Sequence, residues 1–481
     1  MRIPLLFLAI PAALAACTPA PAPAAYGSGA VAVAAASATH APPADTTFHP
    51  AWSRTATIYE VNVRQYTPEG TFAAFQRHLP RLKAMGVDVL WLMPVQPIGR
   101  KNRKGSLGSY YAIADYTAVN PEHGTEADFR RLVDAAHAQG MRVILDWVAN
   151  HTAHDHEWIA AHPGWYVHRA DGTISNARDN EGRETDWTDV AELNYDDAAM
   201  RRAMIGEMRW WVERMGIDGF RCDVAGGVPM QFWADTRAAL KAVRPDLFLL
   251  AEAESPAMHT VFDATYGWEL HHLLNEIVQG KKGTGELDRY FARQDSAYPP
   301  GAFRMYFTSN HDENSWQGTE FERMGANHQA AFVLSATVQN SFPLMYTGQE
   351  VSLNKRLRFF EKDTVDWNGP SLAEFYRKVL GLKHSQPAVA NGPWGGRQVR
   401  LRTTGGDRVY AFTRTQGSNT VLVAVNFGDA PVRAAYQGLT PTGLFTDWFS
   451  ERPVDLEAAG SLDIPAHGWR VLIRWPPEEM G

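Results

Sequence analysis

The stretch GFRCDVA, Gly219 to Ala225, carries the decision about fold. It follows an apolar helix end, MRWWVERMGI, and reads as the end of a buried strand. Successive strand residues alternate faces, so Arg221 and Asp223 point one way and Cys222 the other. Burying two charges is costly unless they serve each other or a ligand. One face of this strand therefore carries chemistry and the other carries core.

Working outward, short apolar β-type runs alternate with amphipathic helical stretches. The expected strands are IYEVNVRQY (58–66), VDVLWLMPV (87–95), MRVILDWVA (141–149), GIDGFRCDV (216–224), LFLLAEAE (247–254), RMYFTSN (304–310) and FPLMYTG (342–348), with a weaker one near TVFDATYGW (260–268). Helical patterns lie between them: TFAAFQRHLPRLKAMG, EADFRRLVDAAHAQG, DAAMRRAMIGEMRWWVERMG and HQAAFVLSATVQN. Gly86, Gly140 and Gly216 fall where helix C-caps belong. Seven or eight βα repeats predict an α/β fold with a parallel sheet, closed as a (β/α)8 TIM barrel over residues 51–390. One connection breaks the rhythm: about 150–195, after the third strand, is a long insertion rich in His, Asp, Trp and Gly. From 391 to 481 short strands with turns predict a C-terminal antiparallel β-sandwich domain.

The bulk numbers fit a large core. The 481 residues are 45% hydrophobic and 21% charged, enough for one large domain and a smaller one. A net charge of −7 with no long basic run argues against nucleic acid as a partner. The 16 tryptophans suit stacking on sugar faces, although core packing accounts for most of them. Residues 1–17, MRIPLLFLAIPAALAAC, have one basic residue, an apolar run and small residues, as a signal peptide does. LAAC looks like a bacterial lipobox, which makes Cys17 the lipidation site; an ordinary secretory signal cut nearby is the alternative. Both readings export the protein. Thr18 after the cysteine favours an outer-membrane lipid anchor, on either side of that membrane. Residues 18–50, rich in Ala, Pro, Ser and Thr, read as a flexible tether. Cys17 and Cys222 are the only cysteines, so a lipidated Cys17 leaves no disulfide.

In barrels the active site sits at the C-terminal strand ends. There the third strand ends in Asp146, then Asn150 and His151, the fourth in Arg221 and Asp223, the fifth in Glu252, and the strand near 304–310 in Asn310, His311 and Asp312. Each alone has a plain structural reading. Asp223 with Arg221 could be an ion pair, Glu252 a helix cap, His311 a core histidine. HTAHDH (151–156) lacks the helical i, i+4 spacing of a histidine metal site. Together they deliver carboxylates from adjacent strands to one mouth. Two carboxyls about 5–5.5 Å apart are what a retaining glycosidase needs, one as nucleophile and the other as acid and then base.

DWVANH (146–151), GFRCD (219–223), LLAEA (249–253) and FTSNHD (307–312) resemble, in order and spacing, four motifs of the α-amylase family, glycoside hydrolase family 13. GSYYAIADY (108–116), VNPEHGT (119–125) and ELNY (192–195) fit as well, so the resemblance spans about 52–475. It implies Asp223 as nucleophile, Glu252 as acid/base and Asp312 as the third carboxylate. It implies that Arg221 orients Asp223, that His151 and His311 bond the sugar being cleaved, and that Tyr111 stacks beneath it. The implied substrate is an α-glucan or malto-oligosaccharide, cleaved mainly at α-1,4 bonds, with no cofactor needed for the chemistry. Asn150 matches a residue that often binds structural Ca²⁺, to which Asp186 and Asp189 could add oxygen ligands. Two departures leave the exact substrate open: Ala225-Gly226-Gly227 stands where many α-amylases have Lys-His, and Ser109 where a histidine is common. Rival readings are an oligosaccharide- or cyclodextrin-specific glucosidase or transglycosylase of the same family, and, from another class, an inactive glucan-binding surface protein. Retention of all three carboxylates argues against the last.

Overall fold

The period of two that separates Arg221 from Cys222 runs through the whole barrel. Its strands are β1 (Ile58–Val61), β2 (Val89–Leu92), β3 (Arg142–Val148), β4 (Gly219–Asp223), β5 (Phe248–Ala251), β6 (Ala264–Tyr266), β7 (Phe303–Tyr306) and β8 (Ser341–Tyr346). They pair in parallel in sequential order, and β8 closes on β1 with Ile58 opposite Leu344. The computed structural model describes residues 48–179 and 182–475. The signal segment 1–17 with Cys17, and the tether as far as residue 47, lie outside the described residues.

Inward-facing Ile58, Val89, Trp91, Ile144, Phe248, Leu250, Phe303 and Leu344 form one buried cluster inside the barrel. Their neighbours Tyr59, Leu90, Leu145, Phe220, Cys222 and Leu249 join a second cluster with the outer helices. Cys222 is buried there, and burial pushes its thiol well above the usual range. A Cβ on Gly219 would lie 1.9 Å from the Phe248 carbonyl oxygen. Only glycine permits this approach of β4 to β5, which brings the ends of those strands together.

Two expected elements come out differently. IYEVNVRQY is not one strand: β1 stops at Val61, and Asn62 caps a helical turn, Val63–Tyr66, by accepting from the Gln65 backbone N–H. TFAAFQRHLPRLKAMG is not one helix but two, Phe72–Gln76 and Leu79–Met85, because Pro80 has no N–H to continue the ladder. Gly86 then ends the second in the left-handed conformation, φ +100°. The insertion is anchored by a short antiparallel pair, His151–Ala153 with Val190–Glu192. Beyond the barrel, a six-stranded antiparallel sheet and a two-stranded one, Val432–Gln437 with Ala459–Ile464, pack around Val409, Leu422, Tyr436, Leu462 and Leu472.

Candidate active site

A cleft of about 900 Å³ opens at the C-terminal ends of the strands, and Tyr111, His151, Asp223, Glu252, His311 and Asp312 all line it. Arg221 lies fully buried beneath them. Its Nη1 donates to Asp146 Oδ1 and Asp223 Oδ1, each at 2.8 Å, and its Nε donates to the Tyr266 hydroxyl at 3.0 Å. Its Nη2 lies 2.6 Å from Glu252 Oε1. The guanidinium also sits 5.0 Å from the Trp91 ring centroid. One cation thus serves three carboxylates. Burial works against its charge, but Asp146 and Glu252 hold it protonated.

Burial and then the neighbouring Glu252 push Asp223 well above the carboxylate range, with Arg221 opposing. Burial also raises Glu252, again with Arg221 opposing. Two carboxyls held this close lose their protons in separate steps, so at intermediate pH the pair carries one proton. The Val224 backbone N–H additionally donates to Glu252 Oε2 at 2.9 Å and fixes that side chain.

His311 links a second chain of contacts. Its Nδ1 lies 2.5 Å from Glu60 Oε1 on β1, and its Nε2 lies 2.8 Å from the Tyr111 hydroxyl and 3.3 Å from Asp312 Oδ2. Burial disfavours its charge, but Asp312 and Glu60 outweigh burial and raise it to about 9. Glu60 is itself raised by burial, with His311 pulling it back. Tyr111 donates to Asp146 Oδ2 at 3.0 Å and stacks on His311 at 5.5 Å, so the two chains meet at Asp146. His151, by contrast, is lowered to about 4 by burial and is neutral at pH 7. The exposed Trp187 of the insertion meets its ring edge-on at 5.9 Å.

Of the residues expected at the site or at the strand ends, Asp146, Asn310 and Arg221 are buried beneath the cleft and Asn150 does not line it, while Tyr111, His151, Asp223, Glu252, His311 and Asp312 face it. Asn150 donates its amide to Glu192 Oε2 at 3.2 Å. Asp189 pairs with Lys104 at 3.6 Å, and Lys104 also donates to the Asp186 backbone carbonyl at 3.0 Å. Among the described residues no three His, Cys, Asp or Glu side chains gather to hold a metal, Asp189 already has Lys104 as its cationic partner, and no chemical step below uses a metal. His154 bonds Asn176, and His156 caps the helix Glu157–Ala161. Glu60, Trp187, Trp316 and Phe359 belong to the cleft or its support without being singled out by the sequence. Alternation from Ile58 gives the one usable sign, since it turns Glu60 inward.

The α-amylase catalytic-domain family model matches residues 44–369. The α-amylase MalA of Haloarcula japonica is 29% identical over 403 residues, covering 79% of this chain and 57% of that protein. An α-1,4-glucan:maltose-1-phosphate maltosyltransferase of Streptomyces coelicolor is 28% identical over 438 residues, covering 82% of this chain and 61% of its own length. The chain thus spans about three fifths of these curated relatives. The solved structure of a maltogenic α-amylase from Thermotoga neapolitana superposes with a TM-score of 0.79 at 28% identity, over 88% of this chain and 99% of that one. With the barrel, the cleft and this match over most of its length, the chain belongs to the α-amylase family, glycoside hydrolase family 13.

Proposed function

We propose that this enzyme is a retaining hydrolase of α-1,4-glucosidic bonds in starch, maltodextrins or malto-oligosaccharides. The observation that carries the reading is Arg221, which touches Asp223 and Glu252 with different nitrogens of one guanidinium. That arrangement suits the close carboxyl spacing of retaining enzymes, about 5–5.5 Å. In the first step Asp223 attacks the anomeric carbon while Glu252 gives its proton to the departing glycosidic oxygen. The C–O bond to the leaving sugar breaks as the bond to Asp223 forms. In the second step Glu252, now ionised, takes a proton from water, and that water displaces Asp223 with the α configuration restored. Asp312 and the charged His311 bond sugar hydroxyls, and Tyr111 supports the ring from below.

Transfer to a second sugar in place of water is the alternative that the maltosyltransferase relatives favour. A product time course separates the two. Residues 18–481 would be given starch, maltoheptaose, β-cyclodextrin and isomaltotriose, beside an Asp223→Asn control. Falling starch chain length with short maltodextrin products supports hydrolysis, and products longer than the substrate support transfer. An Asp223→Asn variant with near-normal turnover would remove the nucleophile assignment. The reading also includes export and a lipid anchor at Cys17, supported by LAAC. Continued membrane association of Cys17→Ser would contradict it.

A further inference from the structure

Trp316 keeps 51% of its surface exposed, unusual for so large an apolar side chain. It lies in the π-helical turn Glu313–Gln317, directly after Asp312. Its ring is 5.3 Å from Phe359 and 5.8 Å from Phe360. Phe359 in turn lies 6.2 Å from Tyr111 with the ring planes 13° apart. The aromatic run therefore begins in the cleft and leads out of it. The loops that carry it are stapled together. Asn314 accepts from the Leu357 N–H at 2.8 Å and donates to the Lys355 carbonyl at 3.0 Å, and the Ser315 hydroxyl donates to the Leu357 carbonyl at 2.9 Å. Trp316, Phe359 and Phe360 line both the cleft and an adjoining cavity of about 290 Å³.

We propose that this ridge binds further glucosyl residues of an α-glucan, on the non-reducing side of the cleaved bond. The inference rests on the proposed function, because Glu252 as proton donor fixes which side the leaving sugar occupies. Val224 adjoins that proton donor, its N–H donating to Glu252 Oε2 at 2.9 Å, and Ala253 follows Glu252 in the chain. The ridge starts instead from Tyr111, which stacks on His311 and which the proposed function puts beneath the sugar being cleaved. Sugar rings present flat CH faces that rest on aromatic faces, and a platform held by backbone bonds loses little freedom when it binds.

The test compares kcat/KM for maltoheptaose with that for maltotriose. In Trp316→Ala the ratio should fall about tenfold, the order expected for one lost stacking face. Trp316→Tyr should restore most of it. With maltoheptaose labelled at its reducing end, labelled products should lengthen, because fewer glucosyl units are held on the non-reducing side. An unchanged ratio, an equal loss on both substrates, or a shift toward shorter labelled products overturns the proposal. If the unmodified enzyme cleaves no α-glucan, the proposed hydrolysis fails by itself. The ratio of Kd values for the same two sugars, measured by calorimetry on the same variants, then decides the ridge independently.

Discussion

Replacing Glu60 with glutamine probes the contact that sets the charge of His311. Burial alone drives an imidazole toward its neutral form. His311 is nevertheless raised from 6.5 to about 9, because Asp312 and Glu60 overcome both burial and the opposing charge of Arg221. That difference corresponds to about 3 kcal/mol in favour of the imidazolium. The amide in Glu60→Gln would keep an oxygen facing Nδ1 but no charge. A contacting opposite charge moves a pKa by about 1–3, so His311 should titrate between about 6 and 8 in the variant. The assay is NMR of the enzyme labelled with ¹³C at histidine Cε1, with His311→Gln to identify the resonance. A midpoint near 9 in the unmodified enzyme and below about 8 in Glu60→Gln is expected, with Glu60→Asp between them. Stability supplies a second readout. The folded pKa lies above the unfolded one, so the contribution is complete below pH 6.5 and is lost as pH rises through about 9. The melting temperature of the unmodified enzyme should therefore fall more steeply over that window than that of Glu60→Gln. An unchanged His311 midpoint in the variant would refute the claim that Glu60 keeps this histidine charged.

Two other expectations follow from the same network. Arg221→Lys should move the acid limb of the kcat/KM profile to higher pH by about 1–2, because one ammonium cannot meet Asp146, Asp223 and Glu252 together and the uncompensated carboxyls hold their protons longer; a limb that stays in place would contradict the role given to the guanidinium. Dialysis against EDTA should shift the melting temperature by less than about 1 °C, what the loss of 1 kcal/mol produces in a chain of this size, since Lys104 supplies the positive charge at the Asp189 carboxylate and bonds the Asp186 carbonyl; a fall of many degrees, reversed by Ca²⁺, would show that a cation carries that load instead.

What the sequence revealed and what it concealed have physical reasons. Alternation in GFRCDVA separates Arg221 and Asp223 from Cys222, and the molecule obeys it: the first two meet at 2.8 Å and the third is buried among the outer helices. The barrel was legible because its eight strands repeat one pattern. The insertion and the loops after β7 and β8 repeat nothing, so Trp187, Trp316 and Phe359 carried no signal, although they line the same cleft. Nor could the positions of Asp186 and Asp189 in the chain reveal that Lys104 reaches Asp189 from another loop.

Glu60 is the instructive case, because the information was present and misplaced. Reading IYEVNVRQY as one strand puts its C-terminal end at Tyr66, six residues beyond Glu60. A site sought at strand ends then passes this residue by. The strand in fact stops at Val61, because Asn62 offers its side chain to the Gln65 N–H and starts a helical turn. Asparagine is a strong helix cap, so the stop was encoded, but the β-branched Val61 and Val63 around it mask the cap. Once the end is moved to Val61, Glu60 becomes an inward carboxylate at the mouth of the barrel. It stands level with Tyr346 on β8 and Trp91 on β2. A misjudged boundary of five residues thus hid the partner of His311, while the two-residue period in the same segment already pointed that carboxylate inward.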